Sequence, residues 1–168
     1  MSASARRLFI GIGNPLRGDD AAGLLAARAL RRWEDLGGSR PPNPPSSDGE
    51  GIEVLELEGE PVDLIEAWEG AELVLVADAV SSGGEPGEVH RIDATAAPMP
   101  AALVGHSTHA LGLAEAVELG RALERLPRRL VVYGIEAQRF EAGAEPSPAV
   151  HAAAERVAAA AAAELGPR

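Results

Sequence analysis

The sequence predicts an α/β protein: a three-layer α/β/α sandwich around a five-stranded, mostly parallel mixed sheet with one antiparallel edge-type strand. Three observations carry this expectation. Short β-rich runs alternate with segments of helical period, the arrangement of strands joined through helices. The run Glu72-Leu-Val-Leu-Val-Ala-Asp-Ala-Val80 is apolar almost throughout, as in a strand buried on both faces of a parallel sheet. Only Ser-Ser-Gly-Gly-Glu-Pro-Gly separates it from the next strand, too little for a parallel crossover, which needs about a dozen residues or more.

The elements follow in order. Leu8-Phe-Ile-Gly-Ile-Gly13 reads as a buried first strand ending in glycine. A helix is expected over Asp19–Leu36, with Ala22, Leu25, Ala26, Ala29 and Trp33 on its apolar stripe and Arg28, Arg31 and Arg32 away from it. Acidic residues at its start suit the positive end of the helix dipole. Residues 37–51 are rich in Gly, Pro and Ser and read as a surface loop. Too little chain precedes them to fold alone, so one domain over 1–168 is expected.

Ile52-Glu-Val-Leu-Glu-Leu57 is the second strand, and Pro61–Trp68 a short helix with Pro at its first position. After the strong strand, Glu88-Val-His-Arg-Ile-Asp93 alternates polar and apolar, as an edge strand with one wet face does. A helix over Ser107–Leu126 follows, with Leu113, Ala116, Val117, Gly120 and Leu123 on one stripe. Leu130-Val-Val-Tyr-Gly-Ile135 is the last strand. Ser147-Pro148 opens a final helix striped by Val150, Ala153, Ala154, Val157, Ala161 and Leu165, and Gly166-Pro167 ends it.

Composition narrows the function. The 168 residues are 46% apolar, a globular composition. Fifteen basic residues, all Arg, stand against 26 acidic ones, for a net charge of −11. Such a surface repels phosphate backbones and anionic lipid, which argues against nucleic-acid and membrane partners. The absence of Cys removes a disulfide scaffold, a Cys-ligated metal and a thiol nucleophile. No signal peptide and no apolar stretch of about 18 residues is visible, so a cytoplasmic protein is expected. The sequence leaves oligomeric state open, with a monomer as the expectation.

Three loops hold the unusual polar residues. The first, Gly11-Ile-Gly-Asn-Pro-Leu-Arg-Gly-Asp-Asp20, follows strand one. A dinucleotide fingerprint fails there because Leu16 stands where its third glycine belongs, and Asp19 and Asp20 put negative charge where a pyrophosphate would sit. Capping explains one of the two carboxylates and leaves the other for a different task. The second is Asp78, at the carboxyl end of the most apolar strand, where open parallel sheets place their ligands. A loop-bonding Asp is the plain alternative. The third is Gly105-His-Ser-Thr-His-Ala-Leu-Gly112 at a helix start. His106 or His109 beside two carboxylates would complete a mixed nitrogen–oxygen site of the kind that suits Zn²⁺, Ni²⁺, Fe²⁺ or Mn²⁺. His90 and His151 read as surface residues. A serine-protease reading lacks a Gly-x-Ser-x-Gly elbow, and Ser107 reads as a helix cap.

These blocks carry a resemblance. Gly11-x-Gly13-Asn14 with Asp19-Asp20-x-x-Gly23 resembles the N-terminal signature of the nickel–iron hydrogenase maturation proteases. Val76-Ala-Asp78-Ala79 is similar to that family's second block and Ser107-Thr-His109-Ala-Leu-Gly-Leu113 to its third. Tyr133-Gly-Ile-Glu136 with Phe140-Glu and Ser147-Pro148 is similar to its C-terminal block, and all four stand in the family's order.

The resemblance implies an endopeptidase that trims a C-terminal extension from a hydrogenase large-subunit precursor after nickel insertion. It implies three metal ligands, Asp20, Asp78 and His109, which are also the expected catalytic residues. The metal is the substrate's own nickel or another divalent ion. At the first position relatives often carry Glu, one methylene longer than Asp20. The usual Pro after Gly-Ile-Glu is replaced by Ala137, and residues 37–51 look like an insertion. The rival functions are a non-catalytic module that binds the precursor or carries nickel, and a small-molecule amidase or nucleotide-binding domain of similar layering.

Overall fold

The apolar runs become the strands of one sheet. The computed structural model describes residues 5–37, 52–104 and 110–166. In chain order these form β1 (Arg7–Ile12), a single 3-10 turn (Gly18–Ala21), α1 (Ala22–Gly37), β2 (Ile52–Leu57), α2 (Pro61–Trp68), β3 (Leu73–Val80), β4 (Val89–Asp93), α3 (Ala101–Val104), α4 (Ala110–Ala122), β5 (Arg129–Glu136) and α5 (Pro148–Leu165). The expected loop beyond Gly37 lies outside the described residues.

The five strands run in the order β2-β1-β3-β5-β4. β1 pairs in parallel with both β2 and β3, and β3 in parallel with β5. β4 lies antiparallel to β5 at the edge, as its short connection to β3 requires. The expected mixed sheet is therefore the observed one.

Strand alternation divides the core into two layers. Phe9, Leu75, Val131 and Ile135 face α1 and α5, where Ala26, Ala29, Ala153, Ala154 and Ala158 let the two helices approach closely. Leu8, Ile10, Val74, Val76 and Val132 face α2 and α4, where Trp68, Leu113 and Val117 fill the layer. β3 is buried from Val74 to Val80, which explains its unbroken apolar run.

Four expectations change. The acidic pair belongs to the 3-10 turn, so α1 itself carries no acidic residue in its first turn. Trp33 is 52% exposed, because the buried stripe of α1 runs through Ala26, Ala29 and Leu30 instead. The helix expected to reach Leu126 stops at Ala122, leaving Leu123 half exposed. Glu124 takes the left-handed conformation (φ 56°), and the N–H groups of Glu124 and Arg125 donate to the carbonyls of Arg121 (3.3 Å) and Gly120 (2.8 Å). That is a Schellman cap, built here on Glu where Gly is usual, so the sequence carried no stop signal. The start of this helix predicted at Ser107, and its cap, lie outside the described residues. α5 begins at Pro148 as expected, but Ser147 makes no side-chain capping bond.

Candidate functional site at the switch point of the sheet

The chain leaves β1 for β2 on one side and then crosses to β3 on the other. A topological switch point therefore lies between β1 and β3, and in such sheets the ligand crevice opens there, beyond the carboxyl ends of the strands. The two aspartates stand on either side of it. Asp20 is in the turn after β1, and Asp78 is the sixth residue of β3. Both are buried, at 0% and 1% exposure.

Close backbone contacts hold this end together. The Gly13 N–H donates to the Leu57 carbonyl at 3.1 Å, and the Asn14 N–H to the Asp20 carbonyl at 3.4 Å. A Cβ on Gly23 would stand 2.2 Å from the Ala77 carbonyl oxygen and 2.3 Å from that of Ile12. Only glycine lets the start of α1 sit this tightly across β1 and β3. The glycines of the first loop thus serve helix-on-sheet contact. α4 is seated in the same way: a Cβ on Gly112 would lie 2.2 Å from the Gly59 carbonyl oxygen, just past β2. So the loop after β1, the ends of β2 and β3 and the first turn of α4 meet at one edge. His109 and His106 directly precede α4 in sequence and lie outside the described residues. Among the described residues no group of three or more His, Cys, Asp and Glu side chains converges as a metal site.

Asp19 and Asp20 part ways. Asp19 is buried, and its carboxylate accepts backbone N–H bonds from Gln138 (3.0 Å), Arg139 (3.0 Å) and Ser147 (2.6 Å). Its own N–H donates to the Arg139 carbonyl at 2.6 Å. Burial pushes its carboxyl pKa up, but the backbone donors outweigh burial and hold it below the ordinary value. Asp19 is therefore a clamp on the segment between β5 and α5, not a helix cap. Asp20, its neighbour in the same turn, is equally buried and takes no part in that clamp.

Burying two carboxylates at one switch point is costly. Each loses hydration on burial. Carboxylates with an imidazole are a donor set for Ni²⁺ or Zn²⁺, so the chemistry of Asp20 and Asp78 is compatible with such a metal.

A second polar cluster was missed at the sequence level. Glu136 ends β5 and is 1% exposed. It accepts from the Ser82 N–H (3.2 Å) and the Ser82 hydroxyl, and pairs with His90 Nε2 at 2.9 Å. Burial acts to raise its pKa, but the bonds from Ser82 and His90 prevail and lower it. His90, expected to be a plain surface residue, is therefore oriented by a buried carboxylate. An acidic residue at the end of a buried strand singled out Asp78; the same signal at Glu136 would have found this cluster.

Comparison with known proteins agrees with this geometry. The family model of the hydrogenase maturation proteases matches residues 46–164. The chain belongs to the hydrogenase maturation protease family. The matched span contains Asp78 and the 107–113 block, while Asp20 precedes it. A hydrogenase expression/formation protein, HupD of Thiocapsa roseopersicina, is 25% identical over 136 residues. That match takes in 81% of this chain but 56% of the curated relative's length. The hydrogenase maturating endopeptidase HybD from E. coli superposes with a TM-score of 0.72 at 26% identity, over 95% of this chain and 91% of its own. The [NiFe] hydrogenase maturation protease HybD from Thermococcus kodakarensis gives 0.68 at 27% identity, over 96% and 99%. The family is one of peptidases, and the fold expected from the sequence is the fold these relatives share.

Proposed function

We propose that this chain is an endopeptidase that removes the C-terminal extension of a nickel–iron hydrogenase large-subunit precursor after nickel insertion. The observation that supports it is the pair of buried carboxylates, Asp20 and Asp78, flanking the switch point of the sheet in a member of this family. Asp20, Asp78 and His109 engage the nickel already seated in the precursor, so that cleavage waits for loading. Nickel is then part of the substrate, and the extension is presented across the carboxyl edge.

The protein's residues supply the remaining chemistry. No Cys is available as a nucleophile, so water is the attacking group and a carboxylate, Asp20 or Asp78, takes its proton. The nickel supplies Lewis acidity near the scissile carbonyl. Asp19 and the glycine contacts keep Asp20 in place while the precursor docks.

The test is precursor processing followed by mass spectrometry. Nickel-loaded and nickel-free precursor are mixed with the protein and, separately, with Asp78→Asn. Loss of a C-terminal peptide from the loaded form alone, and only with the unsubstituted protein, is the expected result. A verified cognate precursor left uncut in both forms overturns the reading and favours a binding or nickel-carrying role.

A further inference from the structure

The loop after β1 and the segment after β5 are stitched into one rim at the carboxyl edge of the sheet. The Asp19 N–H donates to the Arg139 carbonyl at 2.6 Å, and the Arg139 N–H returns to Asp19 Oδ2 at 3.0 Å. The Gly143 N–H donates to the Leu16 carbonyl at 2.8 Å, and the Leu16 N–H to Asn14 Oδ1 at 2.9 Å. Gly18 takes φ +57°, and a Cβ there would stand 2.5 Å from the Arg139 carbonyl oxygen. Leu16 and Arg139 thus have both backbone groups bonded and a fixed position. The rim adjoins the candidate site, because Asp19 is one Cα step, about 3.8 Å, from Asp20.

The backbone of the rim is engaged, but two of its side chains are not. Leu16 is 72% exposed, the highest value among the large apolar side chains described. A lone exposed leucine is ordinary; this one is held on a bonded backbone beside a cation. The Arg139 side chain is exposed and makes no hydrogen bond or ion pair among the described residues, although Glu141 and Glu145 lie on the same segment. Elsewhere on this acidic surface arginines find carboxylates: Arg28 and Arg31 hold Glu56, and Arg125 holds Glu69. Arg128 also lacks a partner among the described residues, but it precedes β5 at the opposite edge of the sheet. With 26 acidic residues in the chain against 15 basic ones, a guanidinium left over next to the site points to a carboxylate supplied from outside.

We propose that Leu16 and Arg139 are specificity-determining residues that hold the precursor's peptide at this rim: Arg139 takes a carboxylate of the peptide, and Leu16 covers an apolar side chain next to it. A guanidinium presents a planar fork that meets a carboxylate through two parallel N–H bonds. A fixed backbone lowers the cost of ordering the two side chains on docking. Docking also excludes water from the pair, so it is worth more than a permanently exposed one. The rim takes no part in bond breaking; it selects which peptide is presented beside Asp20 and Asp78. The carboxylate belongs to an acidic side chain of the peptide or to its terminus, and the experiment separates the two. The inference rests on the reading of a hydrogenase precursor as substrate.

The experiment measures affinity for nickel-loaded precursor in the Asp78→Asn background, and cleavage in the unsubstituted background. Arg139→Gln is expected to weaken affinity about five- to tenfold, and Leu16→Ser about tenfold. Both raise KM and leave kcat within about twofold, as loss of uniform binding does. Raising salt from about 50 to 300 mM weakens binding by the unsubstituted rim more than by Arg139→Gln. Arg139→Lys, which keeps the charge without the fork, falls between the two. The matched controls at the far edge, Arg128→Gln and Leu123→Ser, stay within about twofold. A precursor with its acidic side chains near the cut changed to amides, or one lengthened past its terminus by Gly and Ser, loses the dependence on Arg139 according to which carboxylate is held. Affinity within twofold for Arg139→Gln and Leu16→Ser, an equal loss in the controls, a fall confined to kcat, or dependence on Arg139 unchanged in both altered precursors overturns the proposal. Failure of the unsubstituted protein to cleave overturns the peptidase reading, while the affinity series still decides for or against the rim.

Discussion

At the scale of single residues, neighbouring acids of the same type do different work. Asp19 gathers backbone N–H groups from the segment after β5, whereas Asp20 stands at the switch point. Asp19→Ala leaves buried donors without their charged acceptor, and a loss of about 2–4 kcal/mol in urea unfolding is expected. The same clamp sets an acid dependence. The folded-state pKa of Asp19 lies below its ordinary value, so its stabilisation is complete above about pH 4 and is lost as pH falls through the lowered folded value. Asp19→Asn is expected to flatten the decline of stability below about pH 4, read from melting temperatures at successive pH values. Asp78→Asn is expected to abolish processing while the protein stays folded, since the swap keeps the side chain's size. A Tm well below that of the unsubstituted protein would show that Asp78 is structural.

At the scale of elements, small residues decide how close the layers come. α1 and α5 touch through Ala26, Ala29, Ala153, Ala154 and Ala158, all within 2% of complete burial. Ala158→Leu is therefore expected to cost about 1–3 kcal/mol by overpacking, while Ala152→Leu, on the exposed side of the same helix, stays within about 0.5 kcal/mol. Equal effects would mean that α5 is not seated as described. Gly23→Ala carries two opposed terms. Helix propensity favours Ala by about 1 kcal/mol. A Cβ placed 2.2 Å from the Ala77 carbonyl oxygen forces backbone apart, and that term wins. Destabilisation with reduced processing is expected, since the contact also sets the distance between the β1 loop and Asp78.

At the scale of the whole molecule, both faces of the sheet carry complete apolar layers, so folding has no need of a metal. Chelator treatment is expected to move the melting temperature by no more than about 2 °C, in contrast to small domains whose metal supplies their folding energy. Calorimetry with and without chelator checks this; a large drop would make the metal a resident part of the fold and not cargo of the precursor. Among the described residues no helix is long and apolar enough to cross a membrane.

Hydrophobic period was enough for the five strands and for α1, α2, α4 and α5, though not for the short α3 or the 3-10 turn. A parallel strand buried on both faces writes an apolar run, and β3 could be read that way; a short connection forbids a parallel crossover, and β4 was antiparallel for that reason. Asp78 was legible because an acid at the end of such a strand is expensive. The end of α4 was not legible, because its cap depends on the backbone conformation of Glu124, which Glu does not announce. Nor was the division of labour between Asp19 and Asp20. Their composition is identical, and what separates them is which backbone donors the segment 138–147 brings within reach. The pairing of His90 with Glu136 joins residues 46 positions apart through strand register alone. Local sequence determines which face of a strand is apolar; the order and register of the strands decide which polar ends meet.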